Sequence, residues 1–106
     1  MKLYLFTITN ENDPKLIMRE LEALEDGDTY LCCKEHLLFR KNKVGIASGF
    51  DKNECLLLEN NPSEAAYVLL KEKKEELEKM QEELNKKQTI VEVLKNEMLK
   101  NFKPNN

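Results

Sequence analysis

The residues best suited to chemistry are three cysteines and the single histidine. Cys32, Cys33 and His36 stand close together, and Cys55 follows some 20 positions later. Thiolate and imidazole bind zinc, but structural zinc sites usually draw their ligands from two closely spaced pairs. This sequence contains only one such pair, Cys33 and His36. In a continuous strand Cys33 and His36 also point to opposite faces, because an odd number of positions separates them. We therefore expect buried or half-buried cysteines, with no metal, no cofactor and no cysteine nucleophile activated by histidine.

A basic concentration is the second chemical feature. Residues 32–52 carry five Lys or Arg and two acidic side chains, a net charge of +3, whereas residues 1–31 carry −4. Such a patch favours a phosphate, a nucleotide or an acidic protein surface. The alternative is a solvated hairpin tip that protects an edge strand from aggregation. The residues predicted to bind a ligand or partner are Arg40, Lys41, Lys43, His36 and Ser48.

The remaining composition argues against an enzyme and against a membrane protein. The sequence has no phosphate-binding loop, no dinucleotide-binding pattern, no serine elbow and no distinct pair of acid and base carboxylates. Its longest apolar runs, such as residues 56–58, are far shorter than the roughly 20 residues that cross a bilayer. A net charge of −3 argues against nucleic acid as a partner, and an odd number of cysteines is typical of a reduced, cytoplasmic setting.

The first 60 residues predict the elements that position these side chains. Residues 3–9 are rich in aromatic and β-branched side chains, and the first half of this run is apolar on both alternating faces, which is typical of an inner strand. Asp13 and Pro14 favour a helix start, and Gly27 is placed to end that helix. The pattern then changes to a period of two, which predicts strands over 29–33, 37–40, 44–50 and 55–59. The predicted fold is α+β, with an antiparallel or mixed sheet of four to five strands and one packed helix.

One predicted strand has an unusually small face. Gly45, Ala47 and Gly49 share one side of the predicted strand 44–50, opposite Val44 and Ile46. A face without bulk allows a helix, another backbone or a ligand to approach closely. We expect it to pack against the helix predicted after Asp13, or to form a ligand pocket together with a second subunit.

The C-terminal part predicts a long, charged helix. Asn61, Pro62 and Glu64 have the spacing of an N-cap, a first helical position and a capping box. The residues from 62 to 106 hold nine Lys and nine Glu and no Gly. Lys73 and Lys87 interrupt an otherwise apolar heptad pattern. The residues predicted to mediate oligomerisation are Leu70, Leu77, Met80, Leu84, Val91, Leu94 and Met98.

Two arrangements of this helical region fit the sequence equally well. One is a single helix from 62 to about 102. The other is a pair of helices, 62–87 and 89–102, bent or folded as a hairpin at Gln88, because Thr89 and Glu92 have capping-box spacing. In both cases the apolar end from Ile90 to Phe102 must be buried against its own sheet, its own helix or a second copy.

Together these observations predict an α+β head domain over 1–60, a coiled-coil-like oligomerisation region over 61–103 and a disordered tail over 104–106. In outline and composition, the chain resembles many small proteins of bacterial phages and mobile elements, and this implies a regulator or inhibitor. We expect a non-enzymatic protein that assembles with itself, as a homodimer or higher oligomer, through its C-terminal helices and binds another macromolecule through its head. The alternative is a protein that binds or sequesters a small, nucleotide-like anion in pockets at subunit interfaces.

Overall fold

The computed structural model describes residues 1–9 and 12–101. The fold is α+β, as predicted, but it consists of two antiparallel sheets and a single long helix. Asn10 and Glu11 of the predicted loop, Phe102 and the predicted tail lie outside the described residues. The elements are β1 (Lys2–Ile8), β2 (Leu16–Glu22), β3 (Leu24–Asp26), β4 (Thr29–Cys32), β5 (Leu37–Arg40), β6 (Ala47–Ser48), β7 (Glu54–Leu57) and α1 (Pro62–Asn101).

The chain divides into two compact units, Met1–Lys73 and Lys74–Asn106. The first unit contains both sheets and the N-terminal part of α1, and the second contains α1 from Lys74 to Asn101. The head and helical domains expected from the sequence, with their boundary at residue 60, stay a prediction.

Strand β1 lies inside the four-stranded sheet, whose order is β2-β1-β7-β6. Leu3 and Leu5 on one face belong to a core shared with the three-stranded sheet, and Phe6 on the other face belongs to a core shared with α1. All three side chains are buried. The apolar character of both faces is thus explained by a sheet that is covered on each side, which confirms the prediction of an inner strand.

The three-stranded sheet, in the order β3-β4-β5, covers one face of the larger sheet. Tyr30 and Cys32 of β4 are buried and join Leu21 and Leu56 in one core. The predicted strands at 29–33 and 37–40 are confirmed within one residue by β4 and β5. These two strands could be predicted because their side chains alternate between the core and the solvent.

The helix predicted from Asp13 to Gly27 is wrong, since the segment forms β2, β3 and the turn after them. Leu21 lies directly opposite Leu3 of β1, and both side chains are fully buried. Gly27, with φ of 59°, does not end a helix but begins the two-residue turn between β3 and β4. A sheet edge offered by β1 satisfies the backbone of this segment, and that long-range pairing overrides the local helical spacing.

The predicted strand over 44–50 is also largely wrong. Only Ala47 and Ser48 form a strand, and Val44 makes an isolated bridge to Leu56. Gly45 and Gly49 have φ of 80° and 77°, a backbone conformation that interrupts an extended strand and that glycine adopts without strain. The expected small face therefore does not exist as a continuous surface. Ala47 packs against the core that contains Ala65 and Leu69 of α1, and not against a helix after Asp13.

The C-terminal segment is one uninterrupted helix, α1, and not a hairpin. Its start follows the prediction, because the Asn61 side-chain oxygen accepts a hydrogen bond of 3.1 Å from the backbone N–H of Glu64. At the proposed break, the Thr89 hydroxyl donates to the backbone oxygen of Asn85 at 3.0 Å. The hydroxyl is thus bonded back along the same helix instead of capping a new one.

Candidate functional site

The predicted basic site is only partly assembled, because its most central lysine is already engaged. Lys41 Nζ lies 3.0 Å from Glu25 Oε2 and 5.2 Å from the centroid of the Tyr30 ring. The hydrogen bond to Glu25 raises the pKa of Lys41. Lys41 follows β5 and Glu25 belongs to β3, so their side-chain contact joins the two outer strands of the three-stranded sheet; the Lys41 backbone N–H also donates to Asp28 O in the turn before β4. These contacts stabilise the small sheet and reduce the charge available for a ligand.

The other predicted ligand-binding residues lie on different elements. His36 ends the turn before β5, and Arg40 ends β5 itself, so the strand places them roughly 13 Å apart. Ser48 belongs to the other sheet, where it is paired with Glu54. Arg40 and Lys43 are exposed neighbours at one end of β5, and within the described ranges they form no ion pair. The structure therefore brings together Arg40, Lys41 and Lys43 but not His36 or Ser48.

The cysteines occupy three different environments. Cys32 and Cys55 are fully buried in the two separate cores, and burial raises the pKa of each thiol. Cys33 is exposed in the turn between β4 and β5, and His36 lies in the same turn and not in a strand. Among residues 1–9 and 12–101, no group of three or more His, Cys, Asp or Glu side chains could hold a metal ion.

The predicted oligomerisation residues form an exposed apolar stripe on α1. In the second unit, each of them has between 48% and 67% of its surface exposed. The stripe in that unit consists of Leu77, Met80, Leu84, Val91, Leu94 and Met98. Leu70, also exposed, precedes them in the first unit. This arrangement can bury substantial apolar surface once a partner helix covers it.

A depression of about 420 Å³ lies along this stripe. In heptad notation its lining contains two a, two d, one e and one g position: Leu77, Leu84, Met80, Lys87, Gln81 and Glu83. In a parallel coiled coil, a d side chain inserts among two a, one d and one e side chain, and an a side chain among two d, one a and one g. The depression thus contains the complete set of residues for two such holes.

A second surface was missed by the sequence reasoning, because its strand was predicted as a helix. Strand β2 is the outermost strand of its sheet, and Leu16, Ile17 and Met18 are 39%, 52% and 42% exposed. Beside it, a groove of about 380 Å³ lies between the sheet and α1. Its lining residues are Ile8, Leu16, Ala66, Leu69, Leu70 and Lys73. The Gly27-Asp28 pair, which suits a two-residue hairpin turn, was the local signal that could have revealed strands on either side of it in place of a helix.

Comparisons of the chain with protein-family models, with curated proteins and with solved structures find no match. Within the described residues, no helix combines the length and the apolar character needed to cross a membrane.

Proposed function

We propose that this chain is a non-enzymatic interaction protein that assembles with itself through α1 and binds another macromolecule through its sheet-containing unit. The observation that carries the proposal is the exposed heptad stripe of α1 with its adjoining holes. An isolated helix with so narrow an apolar stripe is marginal in water, and a partner helix is the usual source of its stability.

The spacing of the stripe supports a second copy of the same helix as the occupant. Leu77, Leu84 and Val91 recur every seven residues, so two identical helices can present the same knobs and the same holes to each other. A helix of a different protein would need this heptad register independently. Self-association is therefore the simplest way to cover the stripe.

The charges beside the stripe favour a parallel pair. In a parallel dimer, Glu76 and Glu83 at g face Gln81 and Gln88 at e of the partner, so no like charges meet at these flanking positions. In an antiparallel dimer, g faces g and e faces e, which brings glutamates together on one side of the seam.

Lysines within the seam weaken this dimer. A parallel pair in register places Lys87 opposite its own copy at a d position, where leucine is preferred. The aliphatic part of each lysine can cover the seam while its ammonium group reaches water. The expected product is a reversible dimer whose population depends on protein concentration.

Sedimentation velocity over a wide concentration series tests the proposal. The wild-type chain of 12.4 kDa should show a weight-average mass that rises toward twice that value. Leu84→Asp, in the middle of the stripe, should abolish the rise, because it places a charge in the apolar seam. Asn96→Asp introduces the same side chain on the outer face of the helix and should leave the rise unchanged. A wild-type protein that stays monomeric throughout would refute self-assembly.

The alternative of a small anionic ligand stays a prediction. His36 and Ser48 lie on other elements than Arg40 and Lys43, and no feature of the described residues favours this alternative over self-assembly.

A further inference from the structure

The outer edge of β2 presents unpaired backbone groups in a defined register. Thr9 donates its N–H to Lys15 O, and Ala23 donates to Met1 O, so the odd-numbered residues of this strand are hydrogen-bonded to β1. In an antiparallel ladder the even-numbered residues of β2 then direct their N–H and C=O groups away from β1, toward the outer edge. In the described part of the chain no strand pairs with that edge. The outward groups belong to Leu16, Met18, Glu20 and Glu22.

The same four residues present their side chains on one face of the sheet. Leu3 and Leu21 lie on the opposite face, toward the three-stranded sheet, so the even-numbered residues point to the α1 side. Along β2 this face reads two apolar side chains and then two acidic ones. Leu16 also lines the groove beside α1, so the apolar half of the face continues into a recess.

This pattern is unsuited to pairing of β2 with a second copy of itself. Antiparallel strands that continue a sheet oppose residues on the same face. Centring the pair on Met18 places Leu16 opposite Glu20 of the copy, and centring it on Arg19 places Leu16 opposite Glu22 and Arg19 opposite itself. Either register sets an apolar side chain against a carboxylate or a cation against a cation. Centring the pair on Ile17 opposes Leu16 to Met18, but it pairs only residues 16–18 of each strand.

We infer that the edge of β2 binds an extended segment of a partner protein as an added antiparallel strand. The segment has the pattern basic-x-basic-x-apolar-x-apolar from its N-terminus, which sets its basic residues opposite Glu22 and Glu20 and its apolar residues opposite Met18 and Leu16. Main-chain hydrogen bonds supply affinity, and the groove beside Leu16 selects the apolar side chains. This inference rests on the proposed function, since it names the surface and the partner class of the sheet-containing unit.

The acidic half of the face remains open to such a ligand. Glu20 lies 3.2 Å from Lys2, and Glu22 lies 3.9 Å from the N-terminal amino group. Their side chains are nevertheless 49% and 68% exposed. A carboxylate accepts several hydrogen bonds, so each can bind a further cation from the ligand.

A capped synthetic peptide, KTKTLTL, is the probe, with its binding to the full chain measured by fluorescence anisotropy. Its first, third, fifth and seventh residues direct their N–H groups toward β2, whereas the even-numbered ones point away. Methylation of the third and fifth backbone nitrogens should weaken binding about tenfold or more. Methylation of the second and fourth should leave it within about twofold, since those groups make no bond in the complex. Equal effects of the two methylated peptides would overturn the inference.

A charge exchange tests the recognition independently of the backbone. The peptide ETETLTL should bind about tenfold more weakly, and Glu20→Lys combined with Glu22→Lys should restore it. Amide chemical shifts of the labelled protein should change at Met18 and Glu20, and changes confined to α1 would contradict this site. Leu84→Asp should bind the peptide like wild type. Loss of peptide binding with intact self-association refutes only the β2 inference, whereas a monomeric wild type refutes only the self-assembly.

Discussion

Leu3 of β1 lies directly opposite Leu21 of β2, and the side chains of both are completely buried. This pair decides the structure of the segment that follows β1. Leu21 on a helix would share a stripe with Ile17 and Leu24. In the structure Leu21 is buried in the core between the two sheets, whereas Ile17 and Leu24 remain 52% and 64% exposed. The free edge proposed to bind a partner strand is a consequence of the same pairing.

Proline substitutions in β2 test its register. Arg19→Pro removes an N–H that is directed toward β1 and should destabilise the fold by about 1 kcal/mol more than Met18→Pro, whose N–H points outward. Urea denaturation of both variants gives the difference. Equal losses would contradict the strand register, because in a helix either proline would break an interior turn.

The N-cap of α1 offers a test that involves neither proposal. Asn61→Ala removes the acceptor of the 3.1 Å hydrogen bond from Glu64 and should cost about 1 kcal/mol of unfolding free energy. Asn61→Asp retains an acceptor at the same place and should cost little. Thermal and urea unfolding of the two variants provide the comparison, and an alanine variant as stable as wild type would exclude a contribution of the cap.

The seam of the proposed dimer should be improved by a single change. Lys87→Leu places an apolar side chain at a d position, and we expect self-association to strengthen about tenfold because one more pair of side chains is buried. Lys86→Leu makes the same chemical change one residue away, outside the seam, and should leave the association constant near that of wild type. Sedimentation equilibrium measures both, and equal strengthening would indicate nonspecific hydrophobic association instead of a heptad seam.

The buried thiols predict a loss of stability in alkali. Burial raises the pKa of Cys32 and Cys55 above the ordinary value of 9.0, so the folded chain retains protons that the unfolded chain has lost. The free energy of unfolding therefore falls as the pH rises above that value. Cys55→Ala should show a shallower fall than wild type, measured by urea denaturation across the alkaline range.

The exposed thiol provides the matched control for that experiment. Cys33 lies at the surface of the turn before β5, so Cys33→Ala removes a thiol without opening a core. We expect its pH dependence to follow wild type. A Cys55→Ala variant whose stability falls as steeply as wild type would show that the buried thiol does not contribute.

The sequence by itself determined the elements whose local residue pattern favours the same secondary structure that their tertiary contacts require. Strands β4 and β5 alternate between more and less exposed side chains, and β1 is largely apolar on both faces. Asn61 and Pro62 start α1 at the predicted place. The heptad stripe was also legible, because helical spacing is a property of consecutive residues alone. These features depend on neighbours within a few positions of the chain.

Only the tertiary structure decided the rest, because it depends on which backbone groups find partners. The apolar residues between Pro14 and Gly27 fit a helix or a strand, and the open edge of β1 selected the strand. The same long-range pairing left the outer edge of β2 free, and it placed Ser48 in the four-stranded sheet, apart from Arg40 of the three-stranded sheet. Sheet pairing joins residues that are distant in sequence, so the local spacing of apolar residues cannot predict which strands pair.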